Sequence, residues 1–142
     1  MDIPDVNILV NAFRPDLKHH RLCRDWIENK VSGASRFGMS TLVLSGFIRI
    51  VTNSKIFSDP NTAEEALDFA EAISEQPNCV VVSPGELHWD LFVSLCREYS
   101  IAGNLVPDAY FAALATEHSC SWVTMDRDFR MFKKLKVEIL SE

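Results

Sequence analysis

The sequence lacks any apolar run close to the roughly 20 residues that a membrane-spanning helix needs. It also lacks a cysteine framework. Four cysteines, Cys23, Cys79, Cys96 and Cys120, stand far apart, with no C-x-x-C pair and no histidine at zinc spacing. They read as small hydrophobes in a reduced compartment rather than as zinc ligands or disulfides. The opening Met1-Asp2-Ile3-Pro4-Asp5 is acidic and broken by proline, unlike a signal peptide, so a cytoplasmic protein with no membrane partner is expected. Glycine and proline are sparse, at 5 and 6 of 142 residues, and no linker, repeat or low-complexity tract occurs. Positive charge is in deficit: 14 Lys and Arg against 20 Asp and Glu give a net −6. That balance argues at first sight against a polyanionic partner.

The charge is unevenly spread. Residues 59–75 hold six acids and no base, whereas Arg127, Arg130, Lys133, Lys134 and Lys136 fall within ten residues. A second basic strip, Arg14, Lys18, Arg21 and Arg24, flanks His19 and His20. Solvated helix faces explain both strips; so does contact with a phosphate backbone.

The length suits one domain over residues 1–142 with its own core. Thr62-Ala-Glu-Glu65 is a capping box opening a helix with Ala66, Leu67, Ala70 and Ile73 on one stripe. Cys79–Val82 reads as a buried parallel strand. Ser83-Pro84-Gly85-Glu86 should cap the next helix, which carries Leu87, Leu91 and Leu95 on one face and ends near Ile101–Gly103. Pro107 opens another helix with Phe111, Leu114 and Ala115 inward. Ser121–Thr124 reads as a second buried strand, and Lys136–Ile139 alternates as an edge strand does. Val6, Ile8, Leu9 and Val10 fit strand or helix equally. Strands alternating with helices imply a parallel α/β sandwich, whose chemistry lies beyond the carboxyl ends of the strands.

Acids stand at those places. Asp5 precedes an apolar segment, Asp108 lies in the first turn of a helix, and Asp126 and Asp128 follow a strand. Each is explained singly as a helix cap or a dipole partner. Gathered at one rim, however, such carboxylates repel one another unless a cation joins them, and Mg²⁺ takes hard oxygen ligands. Trp89 and Trp122 read as core residues, and His19, His20, His88 and His118 as surface or satisfied core groups.

Taken together, four segments resemble the PIN-domain nucleases. Asp5-Val-Asn7 is similar to their opening D-x-N motif, and Ser40–Asn53 resembles their second helix. Gly103–Ala115 is similar to the segment with the central aspartate, and Thr124-Met-Asp-Arg-Asp-Phe129 to the closing T-x-D-x-D-F motif. The resemblance spans nearly the whole chain, and the length matches the VapC toxins of type II toxin–antitoxin pairs. It implies a three-layer α/β/α fold around a short parallel sheet, and a Mg²⁺-dependent endoribonuclease, with Mn²⁺ as a substitute, that acts on tRNA or ribosomal RNA. It further implies a VapB-type antitoxin partner, with apolar surface for it around residues 40–57, and a homodimer. By motif, Asp5 and Asp108 would be the main metal ligands and Asp126 would complete the cluster. Asp128 would be an accessory acid, while Asn7 and Thr124 would orient their neighbours.

Gly46 departs from the pattern, because many PIN nucleases carry a glutamate there. A mid-helix glycine costs about 1 kcal/mol relative to alanine. Close helix packing explains it, and so does loss of one acid, for which Asp128 is a candidate replacement. A VapC subgroup with a similar L-x-x-F-[IL]-R-[IV]-V-T-N pattern also lacks the glutamate. Arg49, one turn on, faces either solvent or the site. A phosphoacceptor receiver domain shares the acidic α/β character, but Asp108 opens a helix and no lysine stands where that fold needs one. A catalytically inactive scaffold that binds antitoxin or RNA is the other alternative, favoured by Gly46.

Overall fold

The computed structural model describes residues 1–142. Strand β1 (Asp2–Pro4) runs into α1 (Val6–Phe13), then α2 (His20–Ser32), β2 (Phe37–Met39), α3 (Thr41–Val51) and α4 (Ala63–Ser74). Strand β3 (Cys79–Val81), α5 (His88–Glu98), α6 (Val106–Glu117), β4 (Ser121–Thr124) and β5 (Lys136–Ile139) complete the chain. Short 3₁₀ turns precede α6 and follow β4. The open choice at Val6–Val10 resolves as helix: Asp5 is its N-cap, and Ile8, Leu9, Val10 and Ala12 are buried.

All strand pairs are parallel, in the ladders β1-β4-β5 and β2-β3, and β2 packs beside β1. Successive strand residues face opposite sides of a sheet. In β2 Phe37, Gly38 and Met39 are all buried, and in β4 so are Trp122, Val123 and Thr124. Both faces are therefore covered by helices, as a three-layer α/β/α arrangement requires. Gly38 allows the close approach of β2 to β1, since a Cβ there would lie 2.8 Å from Ile3 Cγ1. The core is one continuous cluster of 27 buried hydrophobic residues. Phe111 stacks on Trp122 at 4.8 Å within it.

Several local expectations change. Cys79–Val82 is a half-exposed outer strand, because β3 pairs only with β2; only Val82, just beyond it, is buried. Leu67 projects from α4 into solvent although its capping box forms as expected. The Ser83–Glu86 box does not form. Instead the Glu117 carboxylate accepts from Gly85 N–H at 2.7 Å and Leu87 N–H at 2.9 Å, so a residue from α6 organises the entry to α5. Leu87 consequently stays outside the helix, largely exposed. Helix α5 stops at Glu98, short of Ile101–Gly103, because Ser100 takes a left-handed φ of 51° and Ile101 N–H returns to the Cys96 carbonyl. Trp122 is core as expected, but Trp89 is 67% exposed on the outer face of α5.

Candidate active site

Parallel strands deliver their carboxyl ends to one rim. Asp5 follows β1 directly, and its N–H donates to the Val123 carbonyl of β4 at 2.8 Å. Asp126 follows β4 by two residues, and Asp108 lies in the first turn of α6. Ser40, buried at the end of β2, caps α3 through its hydroxyl on the same rim. A polar residue ahead of the apolar α3 run was the available signal for that cap.

The Asp5 carboxylate is fixed from three sides. One oxygen accepts from Val6 N–H at 2.6 Å, and the other accepts from the Thr124 hydroxyl at 2.6 Å and from the Asn7 amide at 3.3 Å. The Thr124 hydroxyl in turn accepts from Asn7 Nδ2 at 3.2 Å and from Asp126 N–H at 3.0 Å. Asn7 Oδ1 accepts from Met125 N–H at 3.2 Å, which ties α1 to the turn after β4. Asn7 and Thr124 therefore orient Asp5, as their motif positions imply. Asp126 caps the turn that follows, with one oxygen on Asp128 N–H at 2.9 Å.

Burial and neighbouring charge act on two of these acids. Burial pushes Asp5 up to about 6, and the Asp126 charge adds to this against the lowering hydrogen bonds from Thr124 and Val6. Burial also lifts Asp108 to about 6, with further upward pushes from Asp126, Asp5 and Asp128. Like charges act this way only at short range. The charges of Asp126, Asp5 and Asp128 thus all act on Asp108, that of Asp128, which is exposed, the least. Their hard oxygens are the kind of donor that Mg²⁺ takes. No three His, Cys, Asp or Glu side chains are drawn close enough to form a finished metal cage.

Gly46 faces Val6, and an added Cβ would sit 3.1 Å from Val6 Cγ2. Close packing of α3 on α1 accounts for the glycine, and no other acid occupies its place. Arg49 is exposed and lacks an ion pair. Of the first basic strip, Arg14 is removed. Its guanidinium is buried, paired with Asp16 at 2.9 Å, bonded to Asp59 and Asn61, and stacked on Phe57. In the second strip Arg127 starts at the acid rim. Lys136, by contrast, pairs in register with Ser121 at the other end of β4, about 10 Å away at the strand rise. The histidines lie elsewhere: His88 is buried and donates to the Tyr110 carbonyl at 3.0 Å, and His118 donates to the Ser83 carbonyl at 2.7 Å.

Comparison with known proteins identifies the family. The PIN domain family matches residues 3–135. Ribonuclease VapC25 of Mycobacterium tuberculosis is 38% identical over 96% of both chains. VapC ribonuclease Mb2897 of Mycobacterium bovis is 36% identical over 93% of this chain and 90% of its own. The fold resembles that in the VapBC2 structure from Rickettsia felis bound to a promoter DNA fragment, with a TM-score of 0.68 at 19% identity over 99% and 98% of the two chains. It also resembles VapBC-1 from nontypeable Haemophilus influenzae, with a TM-score of 0.68 at 14% identity over 99% and 98%. The chain belongs to the PIN-domain family, within its VapC group.

Proposed function

We propose that this chain is the toxic component of a type II toxin–antitoxin pair, an endoribonuclease that depends on Mg²⁺, or on Mn²⁺ in its place. The observation that carries this reading is the placing of Asp5, Asp108 and Asp126 at the ends of β1, α6 and β4, with Thr124 bonded to both Asp5 and the Asp126 N–H and the charges of Asp126 and Asp5 acting on Asp108. Asp5 and Asp108 would hold the ion, with Asp126 completing the set. When bound, Mg²⁺ supplies positive charge that polarises the phosphodiester and activates the attacking water. The chain's own groups do the rest. Thr124 and Asn7 fix the Asp5 carboxylate, and Arg127 at the rim draws the RNA backbone toward it.

The names of the VapC relatives and the VapBC neighbours support ribonuclease activity and a VapB-type antitoxin. A tRNA or ribosomal RNA target, a homodimer and a cytoplasmic setting complete the proposal. No helix is long and apolar enough to cross a membrane. The second reading, an inactive scaffold that binds antitoxin or RNA, draws on Gly46 and on the lack of a finished metal cage.

Purified protein should cleave structured RNA with Mg²⁺ or Mn²⁺, and chelator, Asp5→Ala or Asp108→Ala should abolish the cleavage. Cleavage indifferent to chelator and to both substitutions would sink the mechanism. Absence of cleavage on tRNA and ribosomal RNA alike would favour the scaffold. Activity unchanged in Asp128→Asn would remove Asp128 from the set.

A further inference from the structure

Beside the acid rim, α1, α3, α5 and α6 enclose an open groove of about 380 Å³. Such a volume falls in the range of small-ligand sites. Its surface is mainly apolar, with Val6, Leu42, Pro107 and Tyr110 among the lining residues, while Gly46 and Arg49 form the α3 wall. Val6 directly follows Asp5 and Pro107 directly precedes Asp108, so two lining residues are chain neighbours of the rim acids. With no side chain at Gly46, that wall stays low next to Val6.

Two observations define what fits. Arg49 is the sole cation of the lining, is exposed, and has no carboxylate within 4.0 Å. The same lining holds aromatic rings, with the Tyr110 ring packed at 6.0 Å from Phe92. A flat ring joined to a phosphate satisfies both at once, by stacking and by charge. An apolar segment of a protein partner would cover the floor but leave the arginine unmatched.

We propose that this groove receives the base of a nucleotide next to the cleaved phosphate, with Arg49 on the adjoining phosphate, and that it sets base preference. This rests on the ribonuclease reading of the acid rim. Binding is tested without cleavage, by NMR titration in EDTA with AMP, GMP, CMP and UMP, and with ribose 5-phosphate as control. At least one nucleotide should shift the Gly46, Arg49 and Tyr110 resonances, and ribose 5-phosphate should not. Arg49→Ala, a surface change that leaves the core intact, should abolish the shifts.

With cleavable RNA, removing the base beside the cut should raise KM by roughly fivefold or more, as loss of a stacked base does. Arg49→Ala should raise KM while leaving kcat within about twofold, since the arginine binds rather than reacts. RNA cleavage accompanied by no groove shift from any nucleotide would overturn the pocket while sparing the nuclease. Shifts from an antitoxin peptide but from no nucleotide would overturn it in favour of a protein surface. Groove shifts with no cleavage of any RNA would instead fault the nuclease reading and retain nucleotide binding.

Discussion

At the residue scale, the acid rim has a pH signature. Asp5 and Asp108 are raised to about 6 from an ordinary 3.8. The folded state therefore holds protons that the unfolded chain has released, and stability falls as pH rises from about 4 through 6. For buried Asp5 the charged form costs on the order of 3 kcal/mol above that window. Asp108 costs less, being half in water. Replacing Asp108 by asparagine removes a half-buried charge and its repulsion by the neighbouring acids, so Asp108→Asn should raise Tm by a few degrees at pH 8 in EDTA and by nothing at pH 4. Thermal melts at the two pH values check this; an equal gain at both would show that the Asp108 charge is not the cause. Thr124→Val acts in the opposite direction. Loss of the 2.6 Å hydrogen bond removes a group that lowers Asp5. The acidic limb of the pH–rate profile should move upward, and Mg²⁺ affinity should fall about 10- to 100-fold. Isothermal titration with Mg²⁺ measures the second effect.

At the element scale, legibility followed the range of the interaction. The helices at 63–74 and 106–117 declare themselves through caps and spacing within one turn, and β4 through its unbroken apolar run. The four candidate acids stand at element ends, as their motifs led one to expect, since Asp5 caps α1, Asp108 opens α6, and Asp126 and Asp128 follow β4. What misled was long-range. Ser83–Glu86 has the right residues for a cap, but Glu117, thirty residues on, supplies the carboxylate. Cys79–Val81 is as apolar as β4, yet lies at the margin of the sheet, and apolar pattern alone does not encode strand order. Arg14 reads as basic surface in the sequence, whereas its partners at Asp59 and Asn61 make it a buried tie. Glu117→Ala removes the acceptor of two N–H groups and should destabilise by about 0.5–1.5 kcal/mol in chemical denaturation. An unchanged midpoint would mean that water replaces the carboxylate without cost.

At the scale of the whole molecule, a net charge of −6 coexists with an exposed basic segment that descends from the acid rim. Position along that descent should decide its contribution to RNA binding. Arg127→Ala with Arg130→Ala removes two exposed cations nearest the rim and should lower the salt slope of single-stranded RNA binding by about 1.4. Lys136→Ala, at the far end of β4, should leave the slope unchanged. Filter binding across a salt series distinguishes them, and equal effects would show that RNA runs the full height of the sheet.

The bond between Thr124 and Asp5 joins residues 119 positions apart. Three of the four rim acids lie in the last quarter of the chain, and the first waits for them from residue 5. During synthesis the ribosome therefore releases Asp5 early, as an ordinary helix cap without its partners. Only when β4 emerges and slots beside β1 do the carboxylates meet. A chain interrupted anywhere before Ser121 carries no assembled rim, so truncated products of this gene should be harmless even where the complete protein is toxic.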